Sequence, residues 1–202
     1  MSRNKIADIR KKEIIAGFYE CLSKAGHEQI TIKDIAKAAN VSYGVMHYYF
    51  TSKKEIVLAL VDDYVRQQEI LFQNFISPID SPWERLKKLV SLSVERFIFD
   101  QKTNMVFLNL YQMACNDKDI RRSLMMGYEH FRNAVRDIVE YGISRGQFKK
   151  VDPGKVALSF VGHVEGIFLQ VAMDPTLCDQ KMVETLLYDN ARLQLEIRNN
   201  AL

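Results

Sequence analysis

The sequence predicts an all-α protein, and three observations carry that expectation. Apolar residues recur every three or four positions along most of the chain, and no stretch alternates strictly enough to mark a strand. Helix-start signals are frequent: Thr31, Ser42, Ser52, Ser81 and Asp152 each stand just ahead of such a segment, and Pro82 and Pro153 occupy first helical positions. The 4 prolines and 9 glycines in 202 residues are too few to punctuate a sandwich or barrel of many short strands. With 48% hydrophobic and 26% charged residues, the chain has the balance of a folded globular protein long enough for one or two domains. Collagen-like and disordered classes are excluded.

The elements follow in order. The first helix carries Ile14, Ile15, Phe18, Tyr19, Leu22 and Ala25 at helical spacing, and its expected end is near Ala25, with Gly26 as a left-handed cap. Thr31 and Asp34 form a capping box that opens a short second helix running to about Ala39. Asn40 tolerates the positive φ of a tight turn, and Ser42 caps a third helix through about Tyr49. Ser52 and Glu55 open a long connector helix in which Ile56, Leu60, Tyr64, Leu71, Phe72 and Phe75 can share a buried face, followed by a turn over 76–80. A fifth helix starts at Ser81 and runs to about Gln101. Later helices are expected over 104–113, 117–141, 153–172 and 179–198.

Charge is distributed unevenly. Residues 1–54 hold 10 Lys and Arg against 5 Asp and Glu, and residues 55–202 hold 18 against 20. A basic head on a neutral body suits nucleic-acid binding, and a solvated basic face gives the same balance. Cys21, Cys115 and Cys178 are an odd number at wide spacing, which fits reduced thiols rather than a disulfide framework or a metal clip. The charged start lacks the apolar stretch of a signal peptide, and nowhere do 18 apolar residues run together, so a cytoplasmic location without membrane insertion is expected.

The stretch from Ile32 to Phe50 meets, position by position, the needs of two short helices joined by a tight turn. Ile35, Ala39, Val41 and Met46 supply apolar contacts, and Ala36 is small where backbones approach. The third helix turns Val45, Met46 and Tyr49 inward and exposes Ser42, Tyr43, Gly44, His47 and Tyr48. Hydroxyls and an imidazole can bond phosphates or base edges there, and a glycine admits close backbone approach. Thr31 and Lys53, at the starts of helices, suit phosphate contact, and Lys33 is a further candidate DNA-binding residue. Arg3 and Lys5 read equally as a minor-groove arm or as a free terminus.

These residues, TIKDIAKAANVSYGVMHYYFTSKKEI, resemble the helix-turn-helix segment of the TetR family of bacterial transcriptional regulators, over about residues 10–65. Two positions depart from the usual pattern: His47 precedes Tyr48 and Tyr49, and Asn40 stands where Gly is usual. The resemblance implies phosphate contacts from Thr31, Tyr48 and Lys53 and groove contacts from Ser42, Tyr43, Gly44 and His47. It further implies a helix-turn-helix DNA-binding domain over residues 1–54 and a helical effector-binding and dimerisation domain over 55–202. The expected function is that of a DNA-binding regulator, a repressor released from a palindromic operator by an unidentified small-molecule effector, acting through the connector. The competing reading is a helical-bundle ligand-binding or catalytic protein that does not regulate transcription.

In the body, Val156, Phe160, Val164, Ile167 and Val171 form an apolar stripe, and Gly162 and Gly166 leave a groove for a neighbouring backbone. With Leu186, Leu187, Asn190 and Leu193 of the last helix they are the candidate homodimer interface, a two-fold four-helix packing. Candidate effector contacts are Arg96, Phe97, Asn109, Gln112, His130 and Phe131, polar groups among aromatic walls, with methionines 105, 113, 125 and 126 as adaptable lining. The pattern Gly142-Ile-Ser144-Arg-Gly146 matches a hydrolase nucleophile elbow only on paper, since a helix precedes it where a strand is required. No metal-binding, nucleotide or cofactor motif is visible, and no enzyme activity or cofactor is expected.

Overall fold

The computed structural model of the protein describes residues 3–196, with side chains from residue 6 onward. The side chains of Arg3 and Lys5, and the whole of Ile197 and Arg198, therefore lie outside the described residues. Among those described there are nine α-helices and no strand, so the all-α expectation holds. They are α1 (Arg3–Leu22), α2 (Ile32–Ala38), α3 (Tyr43–Tyr49), α4 (Lys53–Leu71), α5 (Pro82–Ser93), α6 (Gln101–Asn116), α7 (Lys118–Ser144), α8 (Pro153–Met173) and α9 (Gln180–Leu195).

Local chemistry sets most boundaries as expected. Thr31 and Asp34 make a reciprocal capping box, and Ser42, Ser81, Asp152 and Asp179 each accept a backbone N–H in the first turn of the helix they open. Ser52 accepts from Glu55 N at 3.2 Å, while the Glu55 carboxylate reaches Thr51 rather than Ser52. Asn40 sits at φ 53, with Asn40 N donating to Lys37 O and Val41 N to Ala36 O, the pairing that closes a helix through a left-handed residue. Gly146, at φ 66, closes α7 in the same way. The Gly142–Gly146 pattern is thus a helix terminus, and the Ser144 hydroxyl donates to Tyr141 O.

Three expectations need correction. Gly26 lies at φ −64 and ψ 141, extended rather than left-handed, and α1 stops at Leu22, whose carbonyl accepts from a side chain described below. Phe75 is 56% exposed whereas Ile76 is buried, because Phe72–Ile76 forms a π-helical turn whose extra residue rotates the buried face onward by one position. A second π-helical turn, Val94–Ile98, continues α5 and ends it before Gln101, which instead begins α6.

Packing divides the chain into two compact units that cut across the expected boundary at residue 54. One comprises the chain up to Arg66 with Gln101–Gly127, and the other Gln67–Asp100 with the chain from Tyr128 onward. In the first unit, Ile14, Phe18, Ile35, Met46 and Ile56 share one core with Val106, Leu110, Met113, Ile120 and Leu124. α1 comes close to the end of α2 at Gly17, where an added Cβ would stand 2.7 Å from the Ala39 nitrogen. The second unit buries Trp83, Leu86, Val94, Ile98, Ile138, Phe160, Val164 and Phe168. There Phe97 stacks on Phe168 at 4.6 Å, and α8 packs on α9.

Gly142 marks one tight point of that second core, since a Cβ there would lie 2.1 Å from the ring of buried Phe148. Gly142→Ala should lower stability by about 1–3 kcal/mol, read as a lower urea midpoint through the fluorescence of Trp83, the chain's one tryptophan.

Candidate nucleic-acid interface

Seven residues of α3 make barely two turns, so the helix spends little of its surface on the core and presents the rest. Met46 is fully buried and Phe50 is 6% exposed, while Tyr49 is half-buried. Ser42, Tyr43, Gly44, His47 and Tyr48 are all exposed, Tyr48 to 71%. The sequence-predicted candidates on this helix thus share one solvent face. Val45 departs from expectation: it is exposed rather than turned inward, because the buried arc of so short a helix is narrow. The Tyr43 and His47 rings meet edge to face with centroids 4.4 Å apart, and Tyr48 meets Tyr49 at 4.9 Å. Two aromatic rings with polar edges therefore stand together, one turn apart, on the exposed side.

The helix before it is held by the capping box. Thr31 Oγ1 donates to Asp34 Oδ2 at 2.6 Å and Thr31 N donates at 2.9 Å, and these bonds hold the Asp34 carboxyl below the usual carboxylate range. Thr31 and Lys33 are exposed, as is Lys37 in the last turn, a basic residue that the sequence reading passed over. Gly44 faces open space, with nothing within 4 Å of an added Cβ.

Lys53 is the correction in this set. Its ammonium, expected at a phosphate, donates instead to His27 O and to Ile30 O, the latter at 2.9 Å. Half-burial pushes it below the usual lysine range, with Glu28 pulling the other way. The neighbouring Lys54 pairs with Asp117 at 2.9 Å and Asp119 at 2.5 Å. Backbone carbonyls at the end of the α1–α2 connector, not solvent, thus claim the lysine that follows Ser52.

The candidate effector residues are divided between the two units. Asn109 and Gln112 belong to the first unit, and Arg96, Phe97, His130 and Phe131 to the second. Arg96, Gln112 and His130 are exposed, Phe97 is buried against Phe168, and Phe131 meets Phe160 edge to face at 6.2 Å. Met113 is core, whereas Met105, Met125 and Met126 are exposed.

Asn109 has another use altogether: it is 5% exposed, accepts from His27 N at 2.7 Å and donates to Leu22 O and Ala25 O at 3.1 and 3.2 Å. Sequence reasoning missed this role because its partners lie more than 80 residues away. The one available signal was Asn at a position whose i±3 and i±4 neighbours Met105, Val106 and Met113 are apolar.

Of the candidate interface residues on α8 and α9, Gly162 and Gly166 are exposed with nothing within 4 Å of an added Cβ. Leu186 and Leu193 are 50% and 79% exposed. Asn190 is half-buried and bonded to Gln194, its carbonyl accepting at 2.5 Å. Leu187 is corrected, since it is buried in its own unit.

Residues 14–60 match the family described as bacterial regulatory proteins, tetR family, and residues 82–195 match the BetI-type transcriptional repressor, C-terminal family. The chain is 23% identical over 195 residues to the HTH-type transcriptional regulator BetI of Brucella canis, covering 96% of each. Its fold is similar to that of a transcriptional regulator from Saccharomonospora viridis solved with choline, with a TM-score of 0.83 and 21% identity over 94% of this chain and 98% of that one. It is also similar to the regulator FadR from Bacillus subtilis solved with stearoyl-CoA, with a TM-score of 0.79 and 21% identity over 93% and 99%.

Gly44 separates the stability of α3 from its use as a contact surface. Because the site is open and helical, Gly44→Ala should leave the free protein as stable or up to about 1 kcal/mol more stable. The same methyl group on a surface pressed into a groove should weaken binding to a selected DNA duplex, measured by fluorescence anisotropy.

Proposed function

The chain belongs to the TetR family of bacterial transcriptional regulators, and on that premise we propose that it is a homodimeric repressor whose two heads grip one operator and let go when a small molecule binds the body. The observation that carries the DNA-binding half is the exposed face of α3, where Ser42, Tyr43, Gly44, His47 and Tyr48 stand clear of the core on a capped helix. Hydroxyl and imidazole groups on such a helix can read base edges in the major groove, while Thr31 and Lys33 at the start of α2 contact phosphate and fix the register. A two-fold dimer presents two such helices, so its operator is palindromic, with half-sites about one helical turn apart.

Exposed apolar residues on α8 and α9 support the dimer. Leu158, Leu169 and Met173 on α8, with Met182, Leu186 and Leu193 on α9, are all exposed by half or more. The opposite side of α8 buries Val156, Phe160, Val164, Phe168 and Val171. A helix buried on one side and apolar on another needs cover on both. This one is long and apolar enough to pass for a membrane span, yet a second copy of the same face covers it as well and leaves the chain in the cytoplasm. Gly162 and Gly166, lacking side chains, let the partner's backbone approach.

The effector is a small molecule bound in the second unit, whose mainly aliphatic interior also holds Trp83, Phe97, Phe148, Phe160 and Phe168. Relatives of this fold were solved with molecules as unlike as choline and stearoyl-CoA, so the family plan supports effector control without naming the effector. Operator and effector oppose each other through a coupling of roughly 1–3 kcal/mol, which acts equally on both ligands. The role is one of binding rather than catalysis.

Two outcomes test this reading. Affinity for a duplex selected from a random pool should fall steeply with salt, with a log–log slope of about −4 or steeper for a dimer, and Tyr43→Ala should reduce it about tenfold or more without changing the dimer mass. Leu193→Asp combined with Leu158→Asp should move the protein from dimer to monomer in analytical ultracentrifugation, because a carboxylate that a lone protomer tolerates is buried without a partner in the dimer.

A further inference from the structure

The residues of the first unit point to a role for Asn109 that its place in the sequence hides. The α1–α2 connector runs from Ser23 to Ile30 and delivers the chain to Thr31, the N-cap of α2. It has no glycine in a left-handed conformation to end α1; Gly26 is extended. The Asn109 amide, sharing its two N–H groups, bonds instead Leu22 O at the end of α1, Ala25 O within the connector and Met105 O of its own helix, the last at 3.0 Å. The Asn109 carbonyl accepts from His27 N, and Lys53 takes His27 O and Ile30 O from the other side. Two side chains, one from α6 and one from α4, thus hold both ends of the connector.

We infer that Asn109 is a positioning residue for operator binding, setting where α2 and α3 stand against α1 by capping α1 and fixing the start of the connector. The inference rests on the DNA-binding reading of α3. Several observations in the first unit support it. Tyr19 and Thr103 hydrogen bond at 2.9 Å and Lys102 pairs with Glu20 at 2.8 Å, so α6 lies along α1 through more than one contact. Thr103 and Asn109 are the buried members of that set, and Asn109 is the one that reaches the connector itself. Three residues of tight turn separate its partner His27 from the cap Thr31, with Gln29 N donating to Gly26 O and Ile30 N to His27 O. Such a segment passes a displacement on rather than absorbing it.

The test compares Asn109→Ala and Tyr43→Ala with the wild-type protein on a duplex selected by the wild type from a random pool and on an unrelated duplex of equal length. Folded fraction is followed by circular dichroism. A purely structural role would lower both affinities together, in proportion to the folded fraction. A positioning role should lower the ratio of selected to unrelated binding about tenfold, leave the salt-driven binding to unrelated DNA intact, and speed hydrogen exchange at the His27 amide. Loss of selected binding in Tyr43→Ala with an unchanged ratio in Asn109→Ala overturns the inference and leaves the DNA-binding reading standing. No change in either variant removes both. If Asn109→Ala does not fold, the wild-type complex decides: the His27 amide must be protected while the selected duplex is bound, and exchange at the rate of a free amide there overturns the inference.

Discussion

Helices of 7 residues cannot close a core, and two of the three that form the DNA-binding head are that short. Everything in the first unit depends on how that shortage is met. Residues from α6 and the start of α7, Val106, Leu110, Met113, Ala114, Ile120 and Leu124, complete the apolar interior that α1, α2 and α3 leave open. The polar side of the same solution is the set of bonds from Asn109 and Lys53, without which the connector's backbone groups would be left unpaired at about 1–3 kcal/mol each. The head is therefore a functional division of the chain rather than a folding unit. Its surface belongs to residues before 54, and part of its interior arrives some 50 residues later.

What could be read from the sequence was what depends on near neighbours. The caps at Thr31, Ser42, Ser81 and Asp152, the positive φ at Asn40 and the end of α7 at Gly146 all involve partners within a few residues, and all were legible. The solvent face of α3 was legible for the same reason, except at Val45, where periodicity alone does not say how wide the buried arc of a two-turn helix will be. The misreadings share a different property. Asn109 and Lys53 look like ligand and phosphate contacts because a polar side chain in an apolar stretch, or a lysine at a helix start, is ambiguous until its distant partner is known. Gly17 drew no notice, since close approach to Ala39 is a tertiary fact. Phe75 was misassigned because a π-helical turn leaves no mark in apolar spacing.

The second unit solves a different problem. In α8 the residues that build its own interior and the uncovered apolar residues Leu158, Leu169 and Met173 occupy different sides of a single helix, with Lys155, Ser159, His163 and Gln170 on a polar side between them. This double duty explains why the sequence-level stripe and the observed one differ by one position, with Phe168 buried in place of Ile167, and why Leu187 and Leu186, adjacent in sequence, have opposite fates on α9. One faces its own core and the other the open side. Composition cannot separate these roles; only the rotation of each helix against its neighbour does.

The two π-helical turns, Phe72–Ile76 and Val94–Ile98, carry one residue more per turn than the α-helices they continue. Each is a stored residue of chain length. An insertion or deletion elsewhere in a packed helix rotates every later side chain by about 100°, whereas a residue lost from one of these turns is absorbed by reversion to ordinary helix. The joints on either side of α5 are thus the places where this lineage has room to change length while the faces of the flanking helices keep their aim, a latitude that the short, fully committed helices of the head do not have.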